Sequence, residues 1–148
     1  MGGRSTLSLD RMNRPSLVLA LLVVLPGPAI AQRNARAEQI CFKLDSHAAA
    51  RDCLSTEATQ SRVALSTEEA SVRSFLVKTD EDEEGRMLAM RAFDKSVAQF
   101  RLYRTRQCEF IASLTYGGNG QGDRRYLCEI ELNEARVKYL KDELKHAV

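Results

Sequence analysis

Proline is absent after residue 28, and glycine is nearly so as far as residue 116. The 148-residue chain has three prolines, Pro15, Pro26 and Pro28, and between Gly27 and Gly117 its only glycine is Gly85. Little in that long interval stops a helix. Histidine is almost missing too: His47 and His146 stand alone, far apart in sequence. No Cys-x-x-Cys is present, which removes thioredoxin-type sites and zinc ribbons. Gly-x-Ser-x-Gly, a phosphate loop and His-Glu-x-x-His are also lacking. With no candidate nucleophile or acid–base pair, neither an enzyme nor a cofactor nor a metal is expected.

Long apolar runs are missing as well. The longest, Leu17-Val18-Leu19-Ala20-Leu21-Leu22-Val23-Val24-Leu25, has nine residues, whereas a membrane span needs about 20. Its flanks give it another meaning. Arg4, Arg11 and Arg14 precede it, Pro26-Gly27-Pro28 breaks it, and Ala29-Ile30-Ala31 is a small-x-small cleavage signal. Residues 1–31 therefore read as a secretory signal cleaved between Ala31 and Gln32. Residues 32–148 read as one domain with no membrane anchor, periplasmic or secreted from a bacterium. Charge of one sign is lacking there: the signal takes three arginines and Asp10 from 22 Lys+Arg and 20 Asp+Glu, leaving 19 of each. No global basic field remains to draw in nucleic acid.

What is present is helix former. The uninterrupted stretches are rich in Ala, Leu, Glu, Arg, Lys and Gln. They predict long helices over about 46–78, 86–115 and 123–145, with Asp45 or Ser46 capping the first. Apolar stripes recur at three- and four-residue steps. The first runs Leu54, Ala58, Ser61, Leu65, Val72, Phe75, with Glu68 interrupting it. The second runs Met90, Phe93, Val97, Phe100, Arg104, Gln107, Ile111, Leu114. The third runs Tyr126, Ile130, Asn133, Val137, Leu140, Leu144. Ser66 and Glu69 resemble a capping box, so a break at Ser66 is an alternative to one continuous helix. Stripes joined by short connections predict an all-α fold, a small antiparallel bundle of about three long helices.

Four cysteines in an exported chain form an even set and favour two disulfides. Cys108 lies about two turns before the glycine patch Gly117–Gly122 and Cys128 a turn or more after it, so their heights match across a hairpin. Cys41 and Cys53 would stand roughly 18 Å apart in one continuous helix. They pair if the helix starts at Ser46 and Cys41 folds back. Of the three possible pairings, Cys41–Cys53 with Cys108–Cys128 is favoured.

These residues together resemble a known family. Phe100, then Arg104 four residues before Cys108, a Gly117-Gly118-Asn119 turn, and Cys128 with Arg136 eight and Leu140 twelve residues later are similar to the LprI-like lysozyme-inhibitor pattern. Cys41, a capped start at Ser46 and Cys53 resemble its opening. The resemblance covers most of residues 41–140. It implies an exported helical protein that inhibits lysozyme or another cell-wall hydrolase by occluding its cleft. The alternative is an envelope structural, adaptor or immunity-type module without inhibitory activity.

Individual residues carry expectations of their own. Arg104 falls on an apolar stripe and must be paired, with Glu131 or Glu134 as candidates; with Arg136 it is expected to be structural. The acidic run Asp80, Glu81, Asp82, Glu83 and Glu84 partly imitates a calcium loop, but Arg91 stands where the twelfth-position acid belongs. It reads instead as a solvated connection able to attract a basic partner. The glycine patch, with Asn119, Arg124 and Arg125, offers a second contact suited to a cleft holding paired carboxylates.

Overall fold

The computed structural model describes residues 37–147, so the export signal expected over 1–31 and its cleavage point lie outside the described residues. Residues 37–41 are helical (α1), followed by α2 (His47–Lys78), α3 (Glu83–Ser113) and α4 (Gln121–His146), and no strand occurs among the described residues. The all-α expectation holds. Ser46 caps α2 by accepting a hydrogen bond from the Ala49 N–H at 3.2 Å. The helix runs unbroken through Ser66, whose hydroxyl donates back to the Val63 carbonyl. That bond leaves it no capping role.

α3 begins at Glu83, three residues earlier than Gly85 suggested, because Asp82 caps it: the Asp82 carboxylate accepts from the Gly85 N–H at 2.7 Å. Glu83 and Glu84 then occupy the first turn, where the helix dipole favours negative charge. A Cβ on Gly85 would meet Asp82 Oδ1 at 3.1 Å, so glycine lets the cap close. Asp82→Ala is expected to cost about 1 kcal/mol and Asp82→Asn much less. Thermal denaturation checks this, and equal melting of D82A and the parent would show the cap to be inert.

The three long helices run up, down and up. Leu54 clusters with Leu127, Ser61 bonds Asn133 and Glu68 pairs with Lys141, so α2 and α4 are parallel. α3 is antiparallel to both, with Arg73 paired to Asp94 and Arg136 bonded to Ser96. α4 is the central helix: it packs extensively on α2 and on α3, which meet each other little. Both expected disulfides are formed, Cys41–Cys53 with Cα atoms 5.5 Å apart and Cys108–Cys128 with 5.4 Å. Cys41 does fold back, since residues 42–46 leave the helix before α2 starts.

The core is divided. One apolar cluster joins Ala37, Cys41, Leu54, Ala58, Leu127 and Ile130. A second joins Leu65, Val72 and Leu140, with Phe93, Phe100 and Val137 against it. Leu114 departs from its stripe: it is the C-cap of α3 and is exposed.

Candidate functional site

The α3–α4 connection is a tight, hydrogen-bonded loop. Tyr116 N–H donates to the Ser113 carbonyl at 3.0 Å, Gly118 N–H to Thr115 at 3.0 Å and Gln121 N–H to Gly118 at 3.1 Å. The chain reverses through two left-handed residues, Tyr116 (φ 51°) and Gly117 (φ 81°). Glycine takes that conformation freely, whereas a tyrosine there is strained. The strained residue is also the most exposed apolar side chain described, Tyr116 at 94%.

The loop is anchored from α2. Arg51 Nη2 donates to the Asn119 carbonyl at 2.5 Å, and its Nε donates to Asp123 Oδ1 at 3.2 Å. Asp123 Oδ2 lies 2.7 Å from His47 Nε2. Asp123 is buried, in the first turn of α4, where the dipole also favours it. His47 in the first turn of α2 and Arg51 in the second thus hold the first turn of α4 through one carboxylate. Arg124 and Arg125, next in sequence, are exposed and make no ion pair among the described residues. Phe42 and Leu44, both exposed, lie in the segment that leads into α2 at this same end.

The expected acidic contact is elsewhere. Asp80–Glu84 sit where α2 turns into α3, at the far end of α3 from the glycine loop. A 31-residue helix separates them, about 45 Å at 1.5 Å per residue. The loop brings Asn119, Arg124 and Arg125 together, and it does not bring them near the five acids. Asp82 is spent as a helix cap, while Glu81 offers its carbonyl to Arg86.

Arg104 and Arg136 serve the interior. Arg104 Nη1 donates to Asn133 Oδ1 at 2.7 Å, so its partner is the asparagine between the two glutamates singled out from the sequence. Asn133 Nδ2 donates to Ser61 Oγ at 2.9 Å, and Ser61 donates to the Ala58 carbonyl at 2.8 Å. This chain crosses α3, α4 and α2 and lies between the two apolar clusters. Burial pulls the Arg104 pKa below its ordinary value; Glu129 opposes the shift, and Arg62 and Arg101 add to it. It stays a cation at neutral pH. Arg136 bonds Ser96 and lies over the rings of Phe100 and Tyr139, 5.5 and 5.8 Å from their centroids.

A family model described as lysozyme inhibitor LprI matches residues 41–140. The chain belongs to the LprI lysozyme-inhibitor family. No curated protein and no solved structure matches it. The LprI region opens on Cys41 and closes on Leu140, so it holds both disulfides, the anchored glycine loop and the polar chain through Asn133. Two cystines suit an exported LprI protein. LprI is described as an inhibitor family, which speaks for binding and against catalysis. Among the described residues no His, Cys, Asp and Glu converge as a metal site, and no helix is long and apolar enough to cross a membrane.

Sequence reasoning named Asn119, Arg124 and Arg125 but passed over Tyr116, Arg51 and the pairing of His47 with Asp123. Contacts 72 and 76 residues apart leave no local spacing to find. The one available signal was Asp123 itself, an acid in the first turn of a helix.

Proposed function

We propose that residues 1–31 direct export and are removed, and that residues 32–148 form one domain that inhibits a lysozyme or related cell-wall hydrolase by seating its glycine-loop end in the enzyme's cleft. The observation that carries the contact is Tyr116, almost wholly exposed on a loop clamped to α2 by Arg51. An aromatic presented on a pre-ordered loop loses little freedom on binding and makes a natural anchor. The guanidiniums of Arg124 and Arg125, exposed and without an ion pair among the described residues, complement a cleft that holds catalytic carboxylates. No chemistry is required: an occupied cleft admits no substrate.

The acidic turn, about 45 Å away along α3, belongs to a different contact. Its role in this reading is steering, since lysozymes are typically basic and five clustered acids raise the encounter rate at low salt. Replacing Asp80–Glu84 by Ser and Asn, with Asn at position 82 to keep the cap, should slow association and flatten its salt dependence. Unaltered association kinetics would remove the turn from the interface.

The decisive assay is muramidase turnover against the oxidised chain lacking residues 1–31. Tyr116→Ala, and Arg124→Ser with Arg125→Ser, are each expected to weaken inhibition about tenfold, the scale of a hot-spot truncation. Circular dichroism and melting should match the parent, because none of the three side chains is buried. Undiminished inhibition by all these variants would take the loop out of the contact. Full turnover at saturating parent protein would end the inhibitor reading itself.

A further inference from the structure

Because α2 and α3 meet so little, a groove of about 470 Å³ opens between them, lined by Thr59, Arg62, Val63, Glu69, Arg101 and Arg104, with Leu65 and Ser66 completing it. That volume is in the range of small-ligand sites. The groove lies on the flank of the bundle, C-terminal along α2 to the residues that clamp the glycine loop, so it is separate from the contact proposed above.

Three guanidiniums border it, and among the described residues each makes a single hydrogen bond: Arg62 to Glu129, Arg101 to Glu69 and Arg104 to Asn133. A guanidinium has five N–H donors, so most of this donor capacity is unspent. Two polar atoms of the groove residues are buried without a partner among the described residues, Arg104 Nε and Glu69 Oε1. Glu69 is 1% exposed, and an orphaned carboxylate oxygen at that depth is costly. The charge balance is informative. Glu69 and Glu129 offset two of the three arginines, leaving one net positive charge, which matches a monoanion better than a phosphate dianion. Arg62, Glu69, Arg101 and Arg104 line the one groove and Glu129 pairs with Arg62, so all five charges share one neighbourhood. Exposed Val63 and the Leu65 side chain supply an apolar wall for the body of such a molecule.

We propose that this groove binds a small carboxylate-bearing ligand, its carboxylate held between Arg62, Arg101 and Arg104. Arg62 and Arg101 are exposed, and each can offer its remaining N–H donors while it keeps its bond to Glu129 or Glu69. Glu69 Oε1, which Arg101 does not bond, is the acceptor left for a hydroxyl or amide N–H of the same ligand. A sugar acid of the bacterial wall and an N-acylated amino acid share this chemistry.

The test is a titration of the oxidised protein followed by the arginine Nε–Hε resonances. The probes are N-acetylmuramic acid, N-acetylalanine and N-acetylglucosamine, each to about 20 mM, since a small monoanion is expected to bind near millimolar. One of the two acids should move the Arg104 signal saturably, and the tighter of them identifies the source. N-acetylglucosamine, which lacks the carboxylate, should leave it still. Arg62→Gln should weaken binding about fivefold, the loss of one charge-assisted hydrogen bond. Arg101→Lys keeps a cation beside Glu69 but loses the planar fork, and it should weaken binding by a similar factor. No saturable shift with either acid, an equal shift with N-acetylglucosamine, or unaltered affinity in both variants would overturn the proposal. Hydrolase inhibition is measured separately and stands or falls without it.

Discussion

Removing the Cys108–Cys128 bridge, as Cys108→Ala with Cys128→Ala, lowers the folding free energy by about 2–4 kcal/mol. Removing both bridges leaves the bundle largely unfolded at 37 °C. The reason is the thinness of the core. The largest fully buried side chains are Leu54, Glu69, Asn133, Cys41 and Cys108, only one of them a large aliphatic and two of them half-cystines. A small domain with so little buried apolar bulk depends on cross-links. The bridges span 12 and 20 residues, so loop entropy separates them by less than about 0.5 kcal/mol. Their locations differ more. Cys41–Cys53 ties down α1 and brings Ala37 and Cys41 into the first apolar cluster. Cys108–Cys128 fastens α3 to α4 below the glycine loop. Loss of the first should lower the melting temperature and leave the loop ordered. Loss of the second should loosen the loop as well and weaken hydrolase inhibition. Urea unfolding of the two paired alanine variants, with and without reductant on the parent, measures this. Equal stability of reduced and oxidised protein would refute it.

Much of this fold is written in local sequence. Three stripes at helical spacing, no internal proline and one glycine before the patch were enough for three helices, because each signal acts within a few residues. Ser46 capped α2 as expected. The errors fall where two local signals compete. Gly85 read as a break, yet Asp82 with Glu83 and Glu84 makes a strong N-terminus and carries glycine into the first turn of α3. Likewise Gly122 read as loop and is inside α4, where the Arg51 guanidinium packs against it. The second disulfide was legible because a hairpin matches heights on either side of its turn. The first needed one further assumption, a helix start at Ser46, which the cap supplied.

The site was legible only in fragments. Ser61, Arg104 and Asn133 each appeared as a polar residue on an apolar stripe, in three different helices. Their spacing gave no hint that they would meet, because that depends on the relative heights of the helices. Those heights follow from tertiary packing of α4 between its neighbours. Glu69 was noticed only as part of a capping box, and it is buried against Arg101. His47 stands alone in the sequence, yet it faces Asp123. Long-range pairs of this kind carry the geometry of both the loop end and the groove. A stripe that includes a polar residue predicts that some partner must exist, by the cost of burying it alone, but it does not say which.

Asn133→Leu is expected to destabilise the protein by about 2–3 kcal/mol, although it replaces a fully buried polar residue with an apolar one of similar size. Asn133 has no exposed surface. Its loss leaves Ser61 satisfied, since that hydroxyl still donates to the Ala58 carbonyl. The damage therefore concentrates on Arg104, which loses the acceptor of its Nη1 while its Nε already lacks one. Arg104 is only partly buried and can withdraw toward solvent along its stem, which holds the cost below that of a fully enclosed charge. Replacing both partners, Asn133→Leu with Arg104→Met, removes the stranded cation and should recover most of the loss, so the double-mutant cycle should show a coupling of at least about 1.5 kcal/mol. The recovered variant would join the two apolar clusters into one. With no polar layer to fix the heights of α2, α3 and α4, it should bind the hydrolase less well despite its regained stability, because the loop end is set by those heights. Additive effects of the two substitutions on urea unfolding would show that Arg104 finds another acceptor. Undiminished inhibition by the double variant would show that the layer contributes stability alone.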